Sequence, residues 1–385
     1  MDFKDLKIPK CKKYSGYKPC YSYKNCFEKG CIENDDNHRM GKKILIISLD
    51  AMGNVLDNTP ILPALKRKFP VSTIYWITLS NAVKILNNSR FIDKVFAWDD
   101  ENRMILRNIE FDCVYNADKS LYACAFANEV NAKHKLGFML NEDGKIIPAN
   151  EEALYSYEMG VNDRLKFREN KKSGVEIIHQ VFDLEYKRDE YEFAFDEQEK
   201  EFIADYKEEI CYDDKLFHVG FNTGCSLLFQ NKKMTVEQHI RLIKELIKTD
   251  NIKIVLLGGR EDTERNAEIY SAFDKIEKKR IINTPTTEGL RKGACFMSIP
   301  DIVITGDSFG LHLAIALRKY IIVWFGLSCA AEIELYGRGE KLVPEGLDCS
   351  PCWKKECPYN LECIDKIDLN RMREIVLNFI KNNPK

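Results

Sequence analysis

The stretch at residues 301–326, DIVITGDSFGLHLAIALRKYIIVWFG, contains a strand, a polar turn, a helix and a second strand in one run. Residues 302–304 and 321–325 are unbroken apolar runs that do not alternate in polarity, the pattern of strands covered on both faces. Residues 305–308 form the turn and 311–317 the helix. A βαβ unit of this kind belongs to a parallel sheet. Ligands of such sheets bind beyond the carboxyl ends of the strands, where helix N-termini offer unpaired N–H groups to anions. Thr305 to His312 is therefore expected to be a ligand loop.

The same pattern recurs on both sides. From Lys43 the chain reads KILIISLDAMGNVLDNTPILPALKRKFP: a buried strand, a tight turn at Met52 and Gly53, and a helix ending before Pro70. STIYWIT (72–78), DKVFAW (93–98) and FDCVYN (111–116) read as further strands. LFHVGFNTG (216–224) restarts the alternation. In TVEQHIRLIKELIKTD, Val236, Ile240, Ile243 and Ile247 share one face, and Thr235 with Gln238 suits a capping box. IKIVLLGG (252–259) is another buried strand, followed by the helix opening at REDTERN, and a last amphipathic helix runs from about 369 to 380. This alternation predicts two doubly wound, parallel-sheet α/β domains. The more polar segment 141–209, with runs such as YKRDEYEF, is expected to hold surface helices and a domain connection.

A chain of 385 residues with 45% hydrophobic and 31% charged content can bury the cores of two domains. A net charge of −2 and a pI near 6.4 give no basic field, which argues against a nucleic-acid partner. MDFKDLKIPK has no apolar signal region, and no run approaches the roughly 18 apolar residues of a membrane span. The expected location is the cytoplasm, with peripheral attachment at the inner face of the membrane left open.

The 14 cysteines then point to metal sites or packed thiols rather than disulfides. Cys11, Cys20, Cys26 and Cys31 lie in an aromatic, lysine-rich leader with few aliphatics, which four thiolates around a metal would order. The alternative is a floppy leader with unpaired thiols. Cys349, Cys352, Cys357 and Cys363, in CSPCWKKECPYNLEC, form a second tetrathiolate framework, with zinc the default and iron compatible. Cys113, Cys124, Cys211, Cys295 and Cys329 read as packed small apolar residues.

Polar or glycine-rich turns end four strands: LDAMGN (49–54), FNTGCS (221–226), LGGRED (257–262) and TGDSFGLH (305–312). They suit an anionic nucleotide. Lys232 and Lys233 follow the FNTG turn, Gly258 and Gly259 permit close backbone approach, and Asp307 with Ser308 sits at a helix N-terminus.

In order and spacing these motifs resemble the family-9 glycosyltransferases, the ADP-heptose heptosyltransferases. The resemblance runs from about Lys43 to the C-terminal helix. It is densest at ILIISLDAMGNVLDNTPILPALKRKFP, NTG with KKM, LLGGREDTERN, GDSFGLHLAIAL, and CSPCWKKECP with Cys363. It implies a GT-B fold, with two Rossmann-like domains facing a cleft and a cysteine-rich extension at 1–41. The acceptor domain would span 42–209 and the nucleotide-sugar domain 210–366. A helix at 367–385 would pack back on the first domain. The activity implied is inverting transfer of a heptose from ADP-heptose to a hydroxyl of a lipopolysaccharide-type glycan or a protein, without an organic cofactor. Oligomerisation is left open. Autotransporter heptosyltransferases, which are associated with iron, resemble the chain at the second cysteine group.

Carried over by position, Lys232 resembles the lysine on the diphosphate, with Thr223, Gly224 and Lys233 beside it. Asp307, Ser308 and His312 match the family's acidic, hydroxyl and histidine positions around phosphates and sugar, and Glu261 the region of the nucleoside. Two positions depart from the pattern. Phe309 stands where the family has glycine, which here comes next at Gly310. Gly53-Asn54 replaces the Gly-Asp whose aspartate is the usual general base, and asparagine accepts no proton at neutral pH. Inverting transfer needs a carboxylate or histidine near the acceptor hydroxyl. Asp50 is the expected substitute, with Asp57 and Asp118 behind it, although Asp50 also suits a cap of the Gly53 turn. A nucleotide-sugar epimerase or hydrolase, or a catalytically impaired nucleotide-sugar binding protein, are the alternative readings.

Overall fold

The computed structural model describes residues 6, 8–20, 25–27, 38–49, 51–225, 229 and 232–385. The chain forms two compact units: residues 1–50, 58–161 and 176–189 make the first, and 51–57, 162–175 and 190–385 the second.

The first unit is built on a sheet of order β3-β2-β1-β4-β5-β6. Its strands are β1 (Lys42–Ile47), β2 (Ser72–Thr78), β3 (Lys94–Ala97), β4 (Phe111–Asn116), β5 (Ala132–Leu140) and β6 (Ile146–Pro148). All neighbours are parallel except β5 and β6. The central strand β1 carries Ile44, Leu45, Ile46 and Ile47, all without exposed surface. Each such side chain contributes about 1.5–3 kcal/mol by leaving water, which is why an unbroken apolar run settles at the sheet centre. One face packs Leu45, Ile47 and Ile77 against Phe96, Phe111, Val114 and Phe126. The loop leaving β1 is fixed where the Leu49 N–H donates to the Asp118 carboxylate at 2.5 Å.

The second unit has six parallel strands in the order β12-β11-β10-β7-β8-β9. They are β7 (Phe217–Asn222), β8 (Ile252–Leu257), β9 (Ile281–Asn283), β10 (Ile302–Gly306), β11 (Tyr320–Trp324) and β12 (Gly339–Leu342). The helix Val236–Leu246 opens with the expected reciprocal capping box between Thr235 and Gln238 and buries Leu242, Ile243 and Leu246.

The final helix, Leu369–Asn382, is amphipathic as expected. Its Met372, Ile375 and Val376 join the core of the second unit with Leu242, Ile243 and Leu246. Phe379 adds ring contacts to Phe217 and Tyr320.

The units are also less contiguous than a break near residue 209 suggests. The helix Met52–Asp57 groups with the second unit. So does 162–175, where Arg168 donates to the carbonyls of Asp348 and Ser350, and the segment after 190, where Arg291 grips Glu199 and the Ala194 carbonyl. Cys113, Cys124, Cys295 and Cys329 are buried as expected, whereas Cys211 is exposed. Among the described residues, no helix is long and apolar enough to cross a membrane.

Candidate active site

In the second sheet the strand order reverses between β7 and β10, which opens a crevice beyond their carboxyl ends. The two turns there are tied by one residue, Asn222. Its side-chain amide donates to Thr305 Oγ1 at 2.9 Å and to Ser308 Oγ at 3.0 Å. Ser308 is the extended N-cap of the helix Phe309–Ala316, and its hydroxyl makes no cap bond to that helix. A Cβ on Gly310 would come within 2.5 Å of the Asn222 side chain. A glycine is what this close approach of Asn222 requires.

Lys232 and Asp307 meet over this crevice, Nζ to Oδ2, at 2.6 Å, with side chains only 13% and 12% exposed. The ammonium also lies 4.7 Å from the Trp353 ring centre and 5.4 Å from that of Phe229, close enough for cation–π attraction. Burial alone would raise the pKa of Asp307. The Lys232 ammonium and His312 outweigh it and hold the carboxyl below the usual carboxylate range. A lysine held by one carboxylate and two rings is a preorganised positive charge, the device that stabilises a departing diphosphate.

Beside it, Thr223 Oγ1 lies 2.5 Å from Asn266 Oδ1 and 3.2 Å from the Leu257 carbonyl. Gly224, Gly258 and Gly259 surround the Asp262 side chain, whose Oδ2 accepts the Gly259 N–H at 3.0 Å. Lys233, expected to face ligand, is instead 3.2 Å from Asp262 Oδ1, and it braces the loop. Glu261 is exposed on the turn Arg260–Asp262. The Cys225 thiol donates to the Phe229 carbonyl at 3.0 Å, and burial pushes its pKa up.

A second polar cluster gathers about His312 of the same helix. The Tyr191 hydroxyl donates to Asp57 Oδ1 and lies 3.2 Å from His312 Nδ1. The Tyr191 and His312 rings are stacked, 16° from parallel, and Tyr336 meets Tyr191 edge-on. Gly53 is what lets the Met52–Asp57 helix come this close: a Cβ there would be 2.7 Å from His312 Cδ2. Arg338 fixes the neighbouring Glu190 at 2.8 Å. Desolvation raises the Asp57 pKa against the opposing pull of His312 and the Tyr191 hydrogen bond, with Asp307 raising it further. Burial and the Asp57 charge push Tyr191 well above the ordinary phenol range.

Of the remaining expected residues, Asp50 lies outside the described residues, and Asn54 is exposed on its helix. Cys31 is also outside them, Cys20 is exposed, and Cys11 and Cys26 are half-buried. Cys349, Cys352, Cys357 and Cys363 line one small pocket with Gly326, Leu327 and Pro358. Burial, and then the three neighbouring thiols, push the Cys363 pKa up. Even so, among the described residues no group of three or more His, Cys, Asp or Glu is placed to hold a metal ion, so the second tetrathiolate does not stand assembled, and the leader's, which includes Cys31, lies partly outside the described residues. The thiols of the second group share a pocket without ligand geometry.

Asn222, Trp353 and Tyr191 were not foreseen as site residues. Asn222 sits inside the FNTG motif, and Trp353 directly follows a cysteine of the second group. Only Tyr191, within a charge run read as solvated, had no local signal.

The chain matches the model of glycosyltransferase family 9 (heptosyltransferase) over residues 103–362, more than half its length. It is 25% identical over 300 residues to lipopolysaccharide heptosyltransferase 1 of Campylobacter coli, covering 74% of this chain and 84% of that protein. Its fold is similar to that of the family-9 glycosyl transferase of Veillonella parvula (TM-score 0.68, 16% identity, 89% of this chain and 98% of the other). It is also similar to the E. coli ADP-heptose lipopolysaccharide heptosyltransferase II (TM-score 0.65, 17% identity, 88% and 99%). With two Rossmann-like parallel-sheet units of the GT-B type and these motifs at its strand ends, the chain belongs to glycosyltransferase family 9, the heptosyltransferases.

Proposed function

We propose that the protein transfers a heptose from ADP-heptose to a hydroxyl acceptor with inversion at the anomeric carbon. The observation that carries this reading is the Lys232–Asp307 pair at the β7/β10 switch point, flanked by Asn222, Ser308 and the N-terminus of the Phe309–Ala316 helix. The diphosphate would sit at that helix end with Lys232 on its oxygens, and Asp307 would turn to the sugar hydroxyls. The Thr223–Gly224 and Gly258–Gly259 backbones would take the nucleoside side, with Glu261 at its edge. Lys232 is worth most in the transition state, when the leaving ADP gains charge.

The first unit is the proposed acceptor domain, and a lipopolysaccharide-type glycan the favoured acceptor, since the Campylobacter relative acts on lipopolysaccharide. Transfer in the cytoplasm fits the absence of a membrane-spanning helix among the described residues. For the C-terminal thiol pocket alone, a structural zinc or iron drawing Cys349, Cys352, Cys357 and Cys363 together is proposed, because four soft thiolates suit either metal. No step of the transfer runs through it.

Incubation with ADP-heptose and a truncated lipopolysaccharide tests the reading. ADP and a heptosylated acceptor support it. Free or epimerised heptose would point to a hydrolase or epimerase, and heat stabilisation without turnover to a binding protein.

A further inference from the structure

Transfer still needs a base, and Asn54 cannot be one. We propose that His312 Nε2 takes the proton of the acceptor hydroxyl, held for that task by Tyr191 and Asp57, whose carboxylate acts in place of the one missing at Asn54. This inference rests on the transfer reading above.

The hydrogen-bond chain fixes the roles. Tyr191 keeps its proton, and its hydroxyl donates to Asp57 Oδ1. The same oxygen, 3.2 Å from His312 Nδ1, then has only a lone pair to offer, so Nδ1 must carry the hydrogen. A neutral imidazole protonated at Nδ1 is an acceptor at Nε2.

Nε2 faces the turn that follows β1: a Cβ on Gly53 would lie 3.1 Å from it. With no Cβ at Gly53, backbone rather than a side chain packs on that edge of the ring. Asp57 lies one turn beyond Asn54 on the same helix, on the same face. The lost carboxylate is thus present three residues later, acting through Tyr191 rather than directly.

Asp57 and Asp307 both lie near enough to His312 for positive charge on the imidazole to favour their ionised forms. In the step itself, the acceptor O–H proton passes to Nε2 and the oxygen lone pair forms the new bond to the anomeric carbon. The bond from that carbon to the phosphate oxygen breaks, and its electron pair leaves with ADP. The imidazolium remains hydrogen-bonded through Tyr191 to Asp57 and later returns its proton to solvent. This is the nucleophile, base and orienting-group arrangement in which the third member holds the tautomer and stabilises the cation. His312 is the catalytic residue, and Tyr191 and Asp57 are positioning residues.

The test measures ADP release from ADP-heptose, with a truncated lipopolysaccharide as acceptor, for the full chain and for His312→Gly, Tyr191→Phe, Asp57→Asn and Asp50→Asn. Donor-induced thermal shift verifies that each variant is folded. The expected result for His312→Gly is a kcat lowered by about 10²–10⁴ with donor KM little changed, and recovery on adding imidazole. Tyr191→Phe and Asp57→Asn should each lower kcat about tenfold or more, and their double variant no further, because they act as one unit. Full kcat in both Tyr191→Phe and Asp57→Asn overturns the inference. So does a His312→Gly chain deaf to imidazole beside an inactive Asp50→Asn. An unmutated chain that binds ADP-heptose and never turns it over overturns the transfer reading and the base with it, whereas active variants beside an active parent overturn the base alone.

Discussion

Replacing Lys232 by methionine keeps the aliphatic stem and removes one charge. In the native protein that charge sits 2.6 Å from Asp307, with both side chains about seven-eighths covered. Removal orphans a buried carboxylate, and breaking such pairs costs about 3–5 kcal/mol. Turnover suffers separately: losing one preorganised donor at a developing oxyanion lowers kcat by about 10²–10³. The two effects come apart in Lys232→Met/Asp307→Asn, which no longer buries an unpaired charge. Its stability should return to within about 1 kcal/mol of the parent while ADP release stays low.

The pH dependence has a definite sign. Asp307 is depressed in the native chain, so its contribution is present above the unfolded carboxylate pKa and is lost as pH falls. In Lys232→Met burial is left to raise it, so that its penalty is present near neutrality and vanishes in acid. The stability gap measured by urea denaturation should narrow from pH 7 towards pH 4. A Lys232→Met chain whose kcat stays within about threefold of the parent, or a double variant no more stable than the single, would refute the reasoning.

Other consequences follow from the same geometry. Trp353→Ala removes a ring 4.7 Å from the Lys232 ammonium; a cation–π loss of about 0.5–2 kcal/mol should weaken ADP binding roughly two- to thirtyfold in calorimetry. Asp57 has a raised pKa in the folded chain, so its ionised form is a cost that grows as pH rises through the folded value. Asp57→Asn should therefore raise Tm near neutral pH and leave it unchanged in acid, even as it slows turnover. Gly310→Ala places a Cβ 2.5 Å from the Asn222 side chain, and an overpacking cost of about 1–3 kcal/mol should appear in urea denaturation. Elemental analysis should find a stoichiometric zinc or iron that is absent from a Cys352→Ser/Cys363→Ser chain.

Much of this architecture is legible in the chain because its strands are buried on both faces. The runs at 72–78 and 111–116 became β2 and β4 without change of boundary, since a continuous β-branched and aromatic run has little choice once helices cover both sides of a sheet. Strands β5, β6, β9 and β12 were invisible for the opposite reason. β5 begins AKHK, and β9 and β12 are short and partly exposed, so periodicity gives them no signature.

The site divides in the same way. Asp307, Ser308 and Lys232 could be placed because turn chemistry and strand ends are local. Lys233 could not, since its engagement with Asp262 depends on where the β8 loop folds. Tyr191 is distant in sequence from both Asp57 and His312, and only tertiary packing brings the three together. The last helix was legible as a helix, but amphipathicity specifies that a face is buried without specifying against what.

The most direct measurement is product identity: mass and anomeric configuration of the acceptor after incubation of the purified chain with ADP-heptose and truncated lipopolysaccharide. The account predicts ADP together with an acceptor heavier by one heptosyl group, linked with inverted configuration, and loss of both in Lys232→Met. Donor returned intact, heptose released without transfer, or retention of configuration would contradict it.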